Sequence, residues 1–189
     1  MQTREIVYAG MFTALMAVGA FIKIMIPVGP FMVTFSLQFF FALLAGLLLG
    51  AGNGFCSVLA YLIVGLCGFP VFAHGGGPAY LLKPTFGFLI GFAAAAFVAG
   101  SVSSRLKKST FRNFLLASFC GEIVYYLCGL SYYFVMFNYI LAGDAETIGV
   151  VELIEVWLLS TVVPDFVLCV LASMMACRLK PLFGEVTWH

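Results

Sequence analysis

Long apolar runs fill most of this chain, and almost every charge lies between them. A bilayer crossing needs roughly 20 apolar residues at about 1.5 Å rise each. Such runs occur over residues 6–26, 35–50, 55–67, 84–103, 114–137 and 152–177. Charged residues make up 9% of the chain and hydrophobic ones 63%, so there is little surface suited to water. In hydrocarbon every backbone polar group must be satisfied within the chain, and helices do this segment by segment. The expected fold is an all-α membrane protein of six transmembrane helices. One integral membrane domain, residues 1–189, uses the whole length.

The breaks between the runs have their own chemistry. Pro27 and Pro30 stop the first span, AGNG precedes the third, and GFP follows it. The N-terminal run exceeds the roughly 7–15 residues of a signal-peptide core, so it reads as a retained span. Arg4, then Arg105, Lys107, Lys108 and Arg112, then Arg178 and Lys180 fall on one side if there are six crossings. These are seven of the nine basic residues. Lys23, Lys83 and the acidic Asp144, Glu146 and Glu152 fall towards the other side. The positive-inside rule then predicts both termini in the cytoplasm. Trp157, Tyr132, Tyr133 and Tyr139 fit an outer interfacial aromatic belt. A net charge of +1 argues against nucleic-acid binding.

The segment 68–83, GFPVFAHGGGPAYLLK, is too apolar for an ordinary loop and too rich in Gly and Pro for a span. It is expected to fold over the outer mouth of the bundle, between helices 3 and 4, as a cap. Gly75, Gly76 and Gly77 permit positive φ and close approach to a ligand. Val71, Phe72 and Tyr80 have apolar surface to bury there.

Polar residues inside the membrane are the functional candidates. Asp165 follows Pro164 near the middle of the last run. A carboxyl at that depth costs about 2.5–3.5 kcal/mol on insertion scales and needs a partner or a polar cavity. Glu122 is similarly deep, and Glu155 is nearer the outer water. Lys83 ends the glycine-rich segment just before a Pro-led helix, whose N-terminal donors favour an anion. His74 and His189 are too few for a metal site. The six cysteines form no CxxC and read as small packing residues. On the first run Gly10, Ala14 and Ala17 follow small-residue spacing, with Ala9 and Thr13 beside them. That stripe suits either an internal seam or a docking surface. No GxxxxGK[ST], HExxH or GxSxG occurs, which leaves a P-loop ATPase or an intramembrane hydrolase unsupported.

FTALMAVGA, IPVGPFMVTFSLQ, AGLLLGAGNG and YLIVGLCGFPVFAHGGGPAYLLKPTFGFLIGF, with VVPDF in the last run, together resemble the BioY family. These are the biotin-specific S components of energy-coupling factor (ECF) transporters. The GxxGxPVFA stretch, glycine turn and PTxGF form the most specific part. The resemblance implies a non-enzymatic protein of the bacterial cytoplasmic membrane that captures biotin from outside. It implies as partners a transmembrane T component and two cytoplasmic ATPases, with biotin as cargo and no cofactor. Under it, Asp165 accepts from the ureido nitrogens. Lys83 or the amides at Gly75 and Gly76 meet the ureido oxygen or the carboxylate. Tyr80, Phe35 and Phe72 pack on the rings, and Gln38 adds a polar contact. Ala9, Gly10, Thr13, Ala14 and Ala17 resemble the T-component surface. The family often carries a lysine shortly after the acid of the last span; here Phe166, Val167 and Leu168 follow Asp165. A solitary biotin facilitator is the alternative within transport. An intramembrane enzyme using Glu122 or Asp165 is the alternative outside it.

Overall fold

The computed structural model describes residues 3–28, 31–106, 108–140 and 149–183. Lys107, Asp144, Glu146 and His189 lie outside the described residues. Helix α1 (Thr3–Phe21) leads into strands β1 (Lys23–Val28) and β2 (Phe31–Ser36), then α2 (Gln38–Leu66). A 3₁₀ turn, Pro78–Leu82, precedes α3 (Phe86–Arg105) and α4 (Phe111–Val135), which a π turn extends to Ile140. Short α5 (Val150–Leu153) runs through a second π turn into α6 (Leu159–Phe183). Five of these helical stretches are long and apolar enough to cross a membrane.

The first departure from expectation is at residues 22–36. The first helix ends at Phe21, not near Ile26, and the second begins at Gln38, not at Phe35. Between them β1 and β2 pair antiparallel, with Ile24 opposite Phe35 and Ile26 opposite Val33. Hydrophobicity alone does not separate this hairpin from a helix. The β-branched residues and Pro27 do disfavour a helix there.

The second departure is in α2, where the expected gap at AGNG is absent. The break is one residue, Gly50, at φ 82° and ψ 177°, a conformation essentially confined to glycine. The limbs 38–49 and 51–66 fold back on each other. Gln38 Nε2 donates to the Tyr61 hydroxyl, although 23 residues of straight helix would part them by about 34 Å. A Cβ on Gly54 would lie 2.8 Å from Gly46 Cα, so Gly54 serves this contact, while a Cβ on Gly46 would lie 2.2 Å from Ala96 O, so Gly46 serves the approach of α3. The first limb's last carbonyls, left open by the break, are capped from α6. Lys180 Nζ donates to Leu47 O at 2.8 Å and Leu48 O at 3.1 Å.

The limbs pack on α1, α3 and α6, and α4 closes the bundle against α3 and α6. Phe39, Leu43, Leu47, Tyr61, Phe72 and Phe114 are among the core side chains. A polar seam joins α4 to α6 in four-residue steps. Tyr126 meets Thr161 and Asp165, Cys169 Sγ donates to Glu122 Oε2 at 3.4 Å, and Ser118 meets Ser173 at 3.2 Å. The Gly50 turn lies at one end of the bundle, and the β-hairpin and the 67–85 segment lie at the other.

Candidate functional site

A cavity of about 170 Å³ opens at the hairpin end. Four parts of the chain wall it. The hairpin and first limb bring Val33, Thr34, Phe35, Ser36, Gln38 and Phe39; the 67–85 segment brings Ala73, His74, Tyr80 and Thr85. Helix α3 adds Phe88, Leu89 and Phe92, and the α4–α6 side adds Tyr125, Trp157, Thr161 and Asp165. The aromatic walls interlock. Tyr125 stacks on Phe39 at 4.7 Å and on Phe92 at 5.3 Å between ring centres, and Phe88 packs on Trp157 at 5.5 Å.

Asp165 is 3% exposed. The Tyr126 hydroxyl lies 2.5 Å from its Oδ2, and the same hydroxyl lies 2.8 Å from Thr161 Oγ1. Thr161 Oγ1 in turn donates to the Trp157 carbonyl at 2.7 Å. Among the described residues, no lysine or arginine lines the cavity that Asp165 faces. A buried acid without a counter-charge is expensive unless a ligand or hydrogen bonds meet it. Glu122 is also 3% exposed, one turn deeper on the seam, and its Oε1 has no partner. It does not line the cavity.

The other sequence-predicted residues divide. Phe35 lines the cavity. Gln38 lines it too, but its amide is largely used within the protein. It donates to Tyr61, accepts from Ser36 Oγ at 3.1 Å, and Tyr61 donates to Val71 O at 2.9 Å. Tyr80 lines the cavity with Lys83 Nζ 4.3 Å above its ring centre. Lys83 itself is exposed, donates to His74 O at 3.4 Å and stands at the rim. Phe72 stands behind the wall, its ring tilted against Tyr80 at 4.7 Å between centres and seated against Gly65. Gly75, at φ 107°, and Gly76 shape the turn without lining the cavity. A Cβ on Gly76 would lie 2.1 Å from Phe69 O, so this turn sits hard against its own backbone.

Among the described residues, two hydrogen bonds join the hairpin to the glycine-rich segment across the cavity mouth. Lys23 Nζ donates to Ala73 O, and Thr34 Oγ1 pairs with His74 Nε2 at 3.0 Å. Burial pushes the His74 imidazole below its usual value, and Lys23 and Lys83 push it further. Burial raises the Tyr80 hydroxyl.

The small-residue stripe of α1 splits between two faces. Ala9 is buried and accepts from Ser57 Oγ at 2.8 Å, while Thr13 donates to Ser57 O at 2.9 Å. Gly10 and Ala14 are exposed, and Ala17 is half-buried. The aromatic belt expected from the sequence also divides. Trp157 and Tyr133 are 6% and 4% exposed, inside the bundle, whereas Tyr139 is 76% exposed.

The sequence reading missed Thr34, Phe88, Phe92, Tyr125, Trp157 and Thr161 as wall residues. A signal for some of them was present. Trp157, Thr161 and Asp165 recur every fourth residue, and so do Phe88 and Phe92, which places each set on one helix face.

Residues 1–185 match the family model described as BioY family. A probable biotin transporter BioY of Lysinibacillus sphaericus is 42% identical, over 96% of this chain and 89% of that protein. The biotin transporter BioY of Thermotoga maritima is 38% identical, over 96% of this chain and 99% of that one. Among solved structures, the biotin S-component of an ECF-type ABC transporter superposes with a TM-score of 0.81 at 26% identity. That match covers 95% of this chain and 92% of the other.

Proposed function

The chain belongs to the BioY family, and from that premise we propose that it captures biotin in the hairpin-end cavity as the substrate-binding S component of an ECF transporter. The observation that carries this reading is the Asp165 carboxyl, buried among aromatic rings, with no lysine or arginine among the described residues that line its cavity. Biotin offers a matching set of groups. Its ureido nitrogens are donors for Asp165, and its bicycle is apolar enough for Phe35, Phe39, Tyr80 and Tyr125. Its carboxylate then faces the mouth, where Lys23 and Lys83 stand. The glycine-rich segment and the hairpin together cap the site. A capped, largely apolar cavity gives affinity with few polar contacts.

Counting the α2 limbs as two crossings gives six. Arg4, Arg105, Lys108, Arg112, Arg178 and Lys180 then gather at the Gly50 end, which the positive-inside rule puts in the cytoplasm with both termini. The cavity opens on the outside. With no P-loop in the sequence, the energy comes from partners: a T component and two ATPases. The edge of α1 that exposes Gly10 and Ala14, with half-buried Ala17 one turn on, is where a partner helix can approach closely. The protein performs no covalent chemistry and holds biotin as cargo.

The purified protein should bind biotin with a stoichiometry of one, read by calorimetry, and release it intact, read by mass spectrometry. Absence of any heat with biotin, in protein that remains folded, would refute the reading.

A further inference from the structure

The hydrogen bonds behind Asp165 hold a count that does not close if the acid is ionised. Three oxygen contacts run in a row: Asp165 Oδ2 to the Tyr126 hydroxyl at 2.5 Å, Tyr126 to Thr161 Oγ1 at 2.8 Å, and Thr161 to the Trp157 carbonyl at 2.7 Å. Each contact needs one proton, because the Trp157 carbonyl can only accept. Tyr126 and Thr161 bring two. The third must be on Asp165. The row then runs one way, from the Asp165 acid to Tyr126, to Thr161, to the carbonyl. If Asp165 loses its proton, both hydroxyls can turn round. Thr161 then donates to Tyr126 and Tyr126 donates to the carboxylate, at the expense of the bond to the Trp157 carbonyl.

We propose that Tyr126 and Thr161 are positioning residues that form a reversible hydrogen-bond row, letting Asp165 rest as a neutral acid and meet biotin as a carboxylate. This rests on the reading that Asp165 accepts from the ureido nitrogens. A carboxylate accepts an N–H more strongly than a neutral acid does, so the arriving donor favours ionisation. The balance is simple: the Asp165 O–H bond breaks, its proton leaves by the cavity mouth to water, and no other covalent bond changes, while the hydrogen bond to the Trp157 carbonyl gives way to those of the reversed row. Tyr126 makes this possible because its hydroxyl supports either state. The other titratable groups facing Asp165 are Glu122 and Tyr125 from α4 and Cys169 from its own helix. His74 enters the cavity from the 67–85 segment, with Lys23 and Lys83 around it.

The test is calorimetry of biotin binding near pH ~6.5, where a free carboxyl such as biotin's is already ionised. Two buffers of very different ionisation heat are compared. The intact protein should show heats that differ by the ionisation of one proton per biotin. Tyr126→Phe keeps the ring and removes the hydroxyl. It should lose the buffer dependence and bind roughly 10-fold more weakly, the worth of one hydrogen bond to a charged group. Thr161→Val should reduce the proton release in the same direction. Glu122→Gln, outside the cavity wall, should leave it in place. Equal heats in both buffers for the intact protein would overturn the proposal, as would full proton release in Tyr126→Phe. A weaker Kd with unchanged release would make Tyr126 merely structural. Should Asp165→Asn bind biotin as tightly as the intact protein, the underlying reading of the site fails instead.

Discussion

The cavity has two kinds of wall. One is carried by helices: Asp165, Thr161, Trp157 and Tyr125 sit on the α4–α6 side, locked by the polar seam and by stacked rings. The other is carried by the hairpin and the 67–85 segment. It holds together through Lys23 to Ala73, Thr34 to His74, and a turn pressed against Gly65 and Phe69. Among the described residues, the helix wall brings no lysine or arginine to the cavity, and the loop wall has Lys23, Lys83 and the His74 imidazole near its mouth. On the proposed function, the helix wall sets what is recognised and the loop wall sets how long it stays. Recognition placed on rigid elements and retention placed on loops follow from how much each can move.

Removing the acid should have the largest effect on this division. Asp165→Ala should raise the Kd for biotin about 10- to 150-fold, matching roughly 1.5–3 kcal/mol for a hydrogen bond to a charged group. Calorimetry reads this, and the on-rate should change little. Next comes the frame of the helix wall. Gly50→Ala forces a side chain into a conformation essentially confined to glycine. It should cost about 1–3 kcal/mol of stability, seen as a lower Tm in detergent, with smaller effect on the off-rate.

The loop wall should respond in the opposite sense. Lys23→Ala removes one donor to Ala73 O, worth roughly 0.5–1.5 kcal/mol. Its biotin off-rate should rise about 2- to 12-fold with Tm nearly unchanged. The smallest effect is that of pH on the same latch. His74 is held below its ordinary value of 6.5 by burial and by Lys23 and Lys83. A depressed pKa means that the opened segment takes up a proton more readily than the closed one. The His74 contribution to closure is complete above about pH 6.5 and fades as pH falls below it. The off-rate should climb over that window, and His74→Gln should flatten the change. An off-rate in Lys23→Ala equal to that of the intact protein would merge the two walls into one.

The sequence made one part of this division readable and hid the other. The apolar runs marked the helices, and Asp165 stood out as a costly group in a span. The basic residues separated the two ends. The β-hairpin was hidden because residues 22–36 are as apolar as a span, and only Pro27 and the β-branched residues speak against helix. The α2 reversal was hidden because one glycine performs it, and AGNG beside it looked like the better break. Phe72, with apolar surface to bury, and Gly75 and Gly76, with their backbone freedom, are expected from the sequence to meet the ligand; in the structure they shape and back the wall, Lys83 stands at the rim, and Ala73, His74 and Tyr80 face inward. Trp157 was read as an interfacial ring because aromatic residues near span ends usually are. Its four-residue spacing to Thr161 and Asp165 carried the better reading.

Trp157 also offers the most direct test of the central claim. The chain has two tryptophans, and Trp157 lines the cavity while Trp188 lies outside the described residues. In a Trp188→Phe protein the remaining indole reports on the cavity alone. Titration with biotin should change its emission saturably, one equivalent per chain, and the change should be lost in Asp165→Asn. Unaltered emission at full biotin occupancy, established in parallel by calorimetry, would place the vitamin elsewhere and contradict the account.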